Sequence, residues 1–172
     1  MKPKLDIIQF FRAVAALLVC FFHMKGILKQ GEWGKFLFGN GSVGVPMFFM
    51  ISGFIMYHTT RMVQPNWKNV KAFLLKRLIR ILPLYYLMML LYVLLLGNAH
   101  YYFIENPSFL LPTFFFFPTY VNLIGPSYGM PPLAVGWSLN YEIYFYLLVG
   151  ISMLFVKNRW FMVCGWLVGT TI

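Results

Sequence analysis

Long apolar runs, recurring along the chain, constrain what this sequence can fold into more than any other feature. A helix needs about 20 predominantly apolar residues to cross the roughly 30 Å hydrocarbon core of a bilayer. Such runs extend from about Ile7 to Met24, from Val43 to Tyr57 with Gly41, Ser42 and His58 lengthening it, from Ile81 to Leu96, from Leu133 to Val156, and from Trp160 to Ile172. With 60% apolar and 10% charged residues and a mean hydropathy of +0.72, the chain lacks the polar surface that a water-soluble domain requires. The expected fold is an all-α polytopic membrane protein, residues 1–172 forming a single membrane-embedded domain of about five transmembrane helices. The fifth run holds 13 residues. Since about 20 are needed, the domain is expected to be incomplete at its C-terminus.

Charge sets the expected topology. The formal net charge of +10, with 14 Lys and Arg, would suggest a nucleic-acid partner in a soluble protein. Here the cations sit in the short connections between apolar runs, so nucleic acid is not expected and membrane lipid is. The stretch from Arg61 to Arg80 carries Arg61, Lys68, Lys71, Lys76, Arg77 and Arg80 with no acid, which marks it as cytoplasmic. Counting back puts the N-terminus, with Lys2 and Lys4, inside, and the stretch from Lys25 to Gly41 outside in spite of its three lysines. A cleaved signal peptide is not expected at the start, because Arg12 interrupts the apolar stretch and no small-x-small cleavage site follows.

Between the third and fourth runs lies FLLPTFFFFPTYVNLIG, residues 109–125, broken by Pro112 and Pro118. If it crossed, Lys157 and Arg159 would lie outside. A re-entrant or interfacial segment keeps them inside and is the expectation. The segment KAFLLKRLIRIL, Lys71 to Leu82, reads as an interfacial helix leading into the third span.

Few residues offer chemistry. Cys20 and Cys164 are isolated in separate apolar runs, so neither a metal site nor a disulfide is expected. Arg12 and His23 are eleven positions apart, three helical turns plus about 20°, and share a face with Gln9, Ala16 and Val19 over about 16 Å. A buried arginine costs about 2.5 to 3.5 kcal/mol on insertion scales, so Arg12 should face protein or water and have a partner. Otherwise it snorkels inward while His23 marks the interface. Glu142, in GWSLNYEIYFY, lies about 13 Å into the fourth span and needs neutralising or pairing. Arg12 is its natural partner, either as a plain brace between helices or as part of a catalytic group, and Tyr141 and Tyr144 flank it.

Ser52 and Gly53, in GVPMFFMISGFIM, let helices approach closely or leave room for a substrate channel. In KRLIR, Arg77 and Arg80 are one turn apart, with Lys76 one turn from Arg80 on the other diagonal. Arginine forks suit phosphates, although positive-inside bias alone also produces such clusters.

Taken in order, RAVAALLVCFFH, GVPMFFMISGFIM, KRLIRILPLYYL and GWSLNYEIYFY resemble the membrane-bound acyltransferase family 3, in particular its exopolysaccharide and O-antigen acetyltransferases. The resemblance spans nearly the whole chain and about the N-terminal half of a fold of roughly ten helices. It implies transfer of an acyl group, usually acetyl from acetyl-CoA in the cytoplasm, to a carbohydrate hydroxyl outside a bacterial inner membrane. His23 and Arg12 match the family's essential first-helix pair. Arg77 and Arg80, with Lys76 beside them, match its cytoplasmic Arg-x-x-Arg motif, associated with the acyl donor. Pro46 stands where many relatives carry Asp in GVDLFF, a position where a helix's first turn tolerates proline.

The expected function is that of an acetyl-CoA-dependent O-acyltransferase without a metal, with His23, Arg12 and Glu142 catalytic and Arg77, Arg80 and Lys76 binding the donor. Histidine suits proton acceptance because its unperturbed pKa is about 6.5. The alternatives are a transporter of a small molecule or lipid-linked sugar that uses the same embedded charges as a pathway, or an inactive fragment. Dependence on acetyl-CoA separates an enzyme from a transporter.

Overall fold

The first apolar run forms α1, Asp6–Met24, an unbroken helix with Asp6 in its first turn and His23 in its last. The carboxylate of Asp6 complements the helix dipole. The computed structural model describes residues 6–24, 40–95, 100–105, 107–117, 133, 136–155 and 159–169. Lys2, Lys4, the three lysines of residues 25–35, Lys157 and residues 118–125 of the proline-broken segment lie outside the described residues. After a 3₁₀ turn at Asn40–Val43 come α2, Gly44–Thr60, and α3, Trp67–Leu95. A π-helical turn at Tyr101–Glu105 precedes α4, Pro107–Phe114, and two further helices follow, α5, Trp137–Ser152, and α6, Arg159–Gly169. Among the described residues every regular element is helical.

Three stretches are long and apolar enough to cross a membrane, Asp6–Met24, Gly41–Thr60 and Trp67–Leu95. Within the expected fourth and fifth spans, α5 and α6 run for 16 and 11 residues. The chain divides into two units, Met1–Met62 and Val63–Ile172, each described by itself.

In the first unit, α2 enters against α1 at two glycines. A Cβ on Gly44 would lie 2.5 Å from the Ala15 carbonyl oxygen and 2.8 Å from Val19 Cγ2. One on Gly41 would lie 2.3 Å from the Leu18 carbonyl oxygen. Small residues here bring backbone against backbone, the usual way helices associate in lipid, where the hydrophobic effect does not drive them together. Close helix approach or room for a substrate channel was expected at Ser52 and Gly53; among the described residues, a Cβ on Gly53 would meet nothing within 4 Å, so the close approach is not there. The approach occurs about two and a half turns earlier, where α2 begins.

The second unit is organised by α3, which runs continuously through the basic segment and the third apolar run, with Pro83 inside it. The interfacial helix and the span expected as separate pieces are one helix. Proline removes one bond of the ladder, which the turns on either side absorb. At 29 residues it is about 43 Å long, some 13 Å more than the hydrocarbon core. Its exposed cations, Lys68, Lys71, Lys76 and Arg80, all lie in the first half.

Against α3 packs α5, in the opposite direction. Leu74 meets Gly150, where a Cβ would lie 3.2 Å from Leu74 Cδ2, whereas Arg77, further along α3, meets Tyr146, earlier in α5. Beyond α5, the buried Arg159 donates from Nη2 to the Val63 carbonyl at 2.9 Å and to the Met153 carbonyl at 3.3 Å. The entry to α3 and the exit from α5 are thereby tied at one end. The end of α3 and the start of α5 accordingly lie at the other end of the pair.

Part of the connection between them dips back along α3. At eight residues, α4 is about 12 Å long and cannot span a bilayer. Its end sits beside Tyr85 and Tyr86, whose rings lie 5.2 and 5.4 Å from those of Phe116 and Phe114 respectively. Tyr86 is nine residues short of the end of α3, about 14 Å along its axis, which is the depth of a re-entrant segment. There α4 stops in a Schellman arrangement. Phe117 N–H donates to the Pro112 carbonyl at 2.9 Å and Phe116 N–H to that of Thr113 at 3.3 Å, with Phe116 left-handed at φ 57°. That position usually holds glycine. Above it, Tyr86, Met89, Leu90, Val93, Phe103 and Phe114 line an apolar cavity of about 150 Å³.

Candidate functional site

The first-helix pair lies on a continuous α1, so the helical phase that places Arg12 and His23 on one stripe applies without a break. Arg12 is half-buried and His23 exposed, its ring edge-on to that of Phe22 at 5.7 Å. Between them on the stripe, Val19 meets Gly44 of α2. The start of α2 therefore covers the middle of the stripe while its two ionisable ends stay apart from that contact.

In the second unit a three-residue chain connects the other expected groups. The buried Tyr146 donates its hydroxyl to Glu142 Oε1, one turn earlier in α5. Its ring faces the Arg77 guanidinium at 6.0 Å, and the Phe73 ring supports the same guanidinium at 5.6 Å. The two rings meet edge to face, centroids 6.4 Å apart. Residues from two motifs far apart in sequence, KRLIR and GWSLNYEIYFY, thus share one cluster.

Arg77 is half-buried and turned toward α5, while Lys76 and Arg80 are exposed. Two of the three expected donor-binding cations consequently stay open to an anionic ligand, and the third is fixed against aromatic rings. A guanidinium held against aromatic rings keeps N–H groups for hydrogen bonds.

The hydroxyl that reaches Glu142 is that of Tyr146. Of the tyrosines that flank the glutamate in sequence, Tyr144 accepts a hydrogen bond from the Trp166 indole of α6, and Tyr141 packs edge-on against Trp137, centroids 6.0 Å apart. Tyr146 escaped the sequence reading, although its position four residues after Glu142 is a helical-neighbour spacing. Arg12 and Glu142, the pair expected to neutralise each other, belong to different units. Among the described residues no three His, Cys, Asp or Glu side chains gather as metal ligands would.

The sequence was then compared with known proteins. A family model described as an acyltransferase domain, that of acyltransferase family 3, matches residues 5–172, nearly the whole chain and both units. The chain belongs to acyltransferase family 3. Within that family it is 27% identical over 169 residues to the peptidoglycan O-acetyltransferase OatA of Listeria monocytogenes, covering 87% of this chain and 24% of that protein. It is 34% identical over 128 residues to the exopolysaccharide production protein ExoZ of Rhizobium meliloti, covering 72% of this chain and 37% of that one. The chain thus spans well under half the length of these two relatives. No solved structure matches it.

Proposed function

We propose that this chain provides the N-terminal part of an integral membrane O-acyltransferase that takes acetyl from cytoplasmic acetyl-CoA and places it on a hydroxyl of an extracytoplasmic polysaccharide. The observation that carries this reading is the family match over residues 5–172, which includes all four motifs. The names of the two relatives, a peptidoglycan O-acetyltransferase and an exopolysaccharide production protein, favour acetyl as the group and carbohydrate as the acceptor.

The residues divide the work by chemistry. Arg77, Arg80 and Lys76, at the basic end of α3, bind the phosphates of the donor, with that end and the N-terminus cytoplasmic in a bacterial inner membrane. His23 accepts the proton of the acceptor hydroxyl as the oxygen attacks the acyl carbon, or carries the acetyl group onward itself. The C–S bond breaks as the C–O bond forms, and coenzyme A leaves with a proton on its sulfur. Arg12, on the same helix as His23, and Glu142, on α5, are the two further charged groups assigned to the reaction. The thioester supplies the driving force.

The test is His23→Ala in the full-length protein, with O-acetyl on the cell-surface polysaccharide as the readout. Loss of O-acetyl at normal protein level is expected, and unchanged acetylation would sink the assignment. Membranes supplied with acetyl-CoA should release free coenzyme A in step with acetylation; a transporter would leave the thioester intact.

A further inference from the structure

Tyr146 belongs to neither of the residue sets assigned above, yet it touches one member of each. It is buried at 4% exposure, its hydroxyl donates to Glu142 and its ring lies against Arg77. A buried tyrosine needs some acceptor for its hydroxyl, and a backbone carbonyl one turn back would serve. Here the acceptor is a carboxylate embedded in an apolar helix, the group in α5 whose orientation is most expensive to leave open.

We propose that Tyr146 is a positioning residue of acyl transfer, whose hydroxyl fixes the Glu142 carboxylate while its ring holds the donor-binding Arg77 in place. This rests on the transfer reading above. The hydroxyl engages one carboxylate oxygen and leaves the other for the reacting groups. The ring holds the guanidinium without taking up its N–H groups, which leaves them for a donor phosphate. The two functions use different parts of one side chain, so they separate by substitution. Tyr146→Phe keeps the ring and removes the hydroxyl. Tyr146→Leu removes both.

The experiment uses membranes carrying the full-length protein, with coenzyme A release measured against acetyl-CoA concentration and normalised to folded protein. Tyr146→Phe is expected to lower kcat about 10- to 100-fold, the worth of one hydrogen bond to a charged group, while leaving KM for acetyl-CoA near the wild-type value. Tyr146→Leu is expected to lower kcat as far and to raise KM as well. Combined with Glu142→Leu, which removes the acceptor, Tyr146→Phe should cost nothing further, since both substitutions break the same contact.

A folded Tyr146→Phe protein with wild-type kcat overturns the inference, and so do losses that multiply in the double variant. If Tyr146→Phe does not accumulate, Phe73→Leu, which removes the other ring under Arg77, should raise KM alone; a parallel fall in kcat would overturn the division of roles. Wild-type membranes that release no coenzyme A from acetyl-CoA overturn the transfer reading and this inference with it. Active wild type with an unaffected Tyr146→Phe overturns the inference only.

Discussion

The Tyr86 hydroxyl donates to the Phe114 carbonyl at 2.6 Å, joining the middle of α3 to the last residue of the re-entrant α4. Terminal carbonyls of a helix have no partner within it, and at this depth water does not supply one. Tyr86→Phe keeps the ring contact with Phe114 and removes only the donor. It is expected to cost about 1–3 kcal/mol, read as a lower melting temperature in detergent, with a smaller effect from removing the donor of the exposed Tyr101.

Phe116 carries a positive φ in the turn that ends α4, and its ring packs on Tyr85. Phe116→Gly loses that packing but relieves a strain of about 1–2 kcal/mol, so its net effect should be small. Phe116→Val loses the packing and keeps a worse strain, being β-branched. Thermal unfolding should rank Val well below Gly, against the order of their hydrophobicity.

Gly44 and Gly53 lie on the same helix and differ in what a methyl group would meet. Gly44→Ala drives Cβ into the Ala15 carbonyl, a backbone atom that cannot swing aside, and should cost about 1–3 kcal/mol. Gly53→Ala enters open space and should be neutral or slightly stabilising. Melting temperature and membrane abundance of the two variants check both.

Arg159 binds two carbonyls that belong to separate connections, Val63 and Met153. Arg159→Gln is expected to destabilise by about 2–4 kcal/mol, since shortening the side chain strands two acceptors. With Cys20 and Cys164 replaced, Gln64→Cys and Phe155→Cys should react with an impermeant maleimide from the same side of the membrane, and Glu105→Cys from the other. Opposite labelling of Gln64→Cys and Phe155→Cys would contradict the antiparallel pairing of α3 and α5.

Much of this was legible in the sequence, because lipid imposes a length on each apolar run and a cost on each embedded charge. The re-entrant segment followed from Pro112 and Pro118 together with the cation count around Arg159. The start of α3 was placed at Ile81, where the cations cease, but helix continuity does not depend on hydropathy, and the backbone ladder runs from Trp67. Small residues announced a close contact without identifying it. Gly44 and Gly53 both stand among apolar residues of one helix, and the neighbour's backbone distinguishes them. Tyr141 and Tyr144 flank Glu142 in sequence, whereas a helix brings the fourth residue, Tyr146, to its side.

The link from Arg159 to Val63 also fixes a parity. Since α3 begins and α5 finishes at one shared end, the side on which the chain arrives at Val63 is the side from which it departs at Met153. A longer or shorter stretch between the two helices would leave everything downstream facing as before, provided it returned to the side it left.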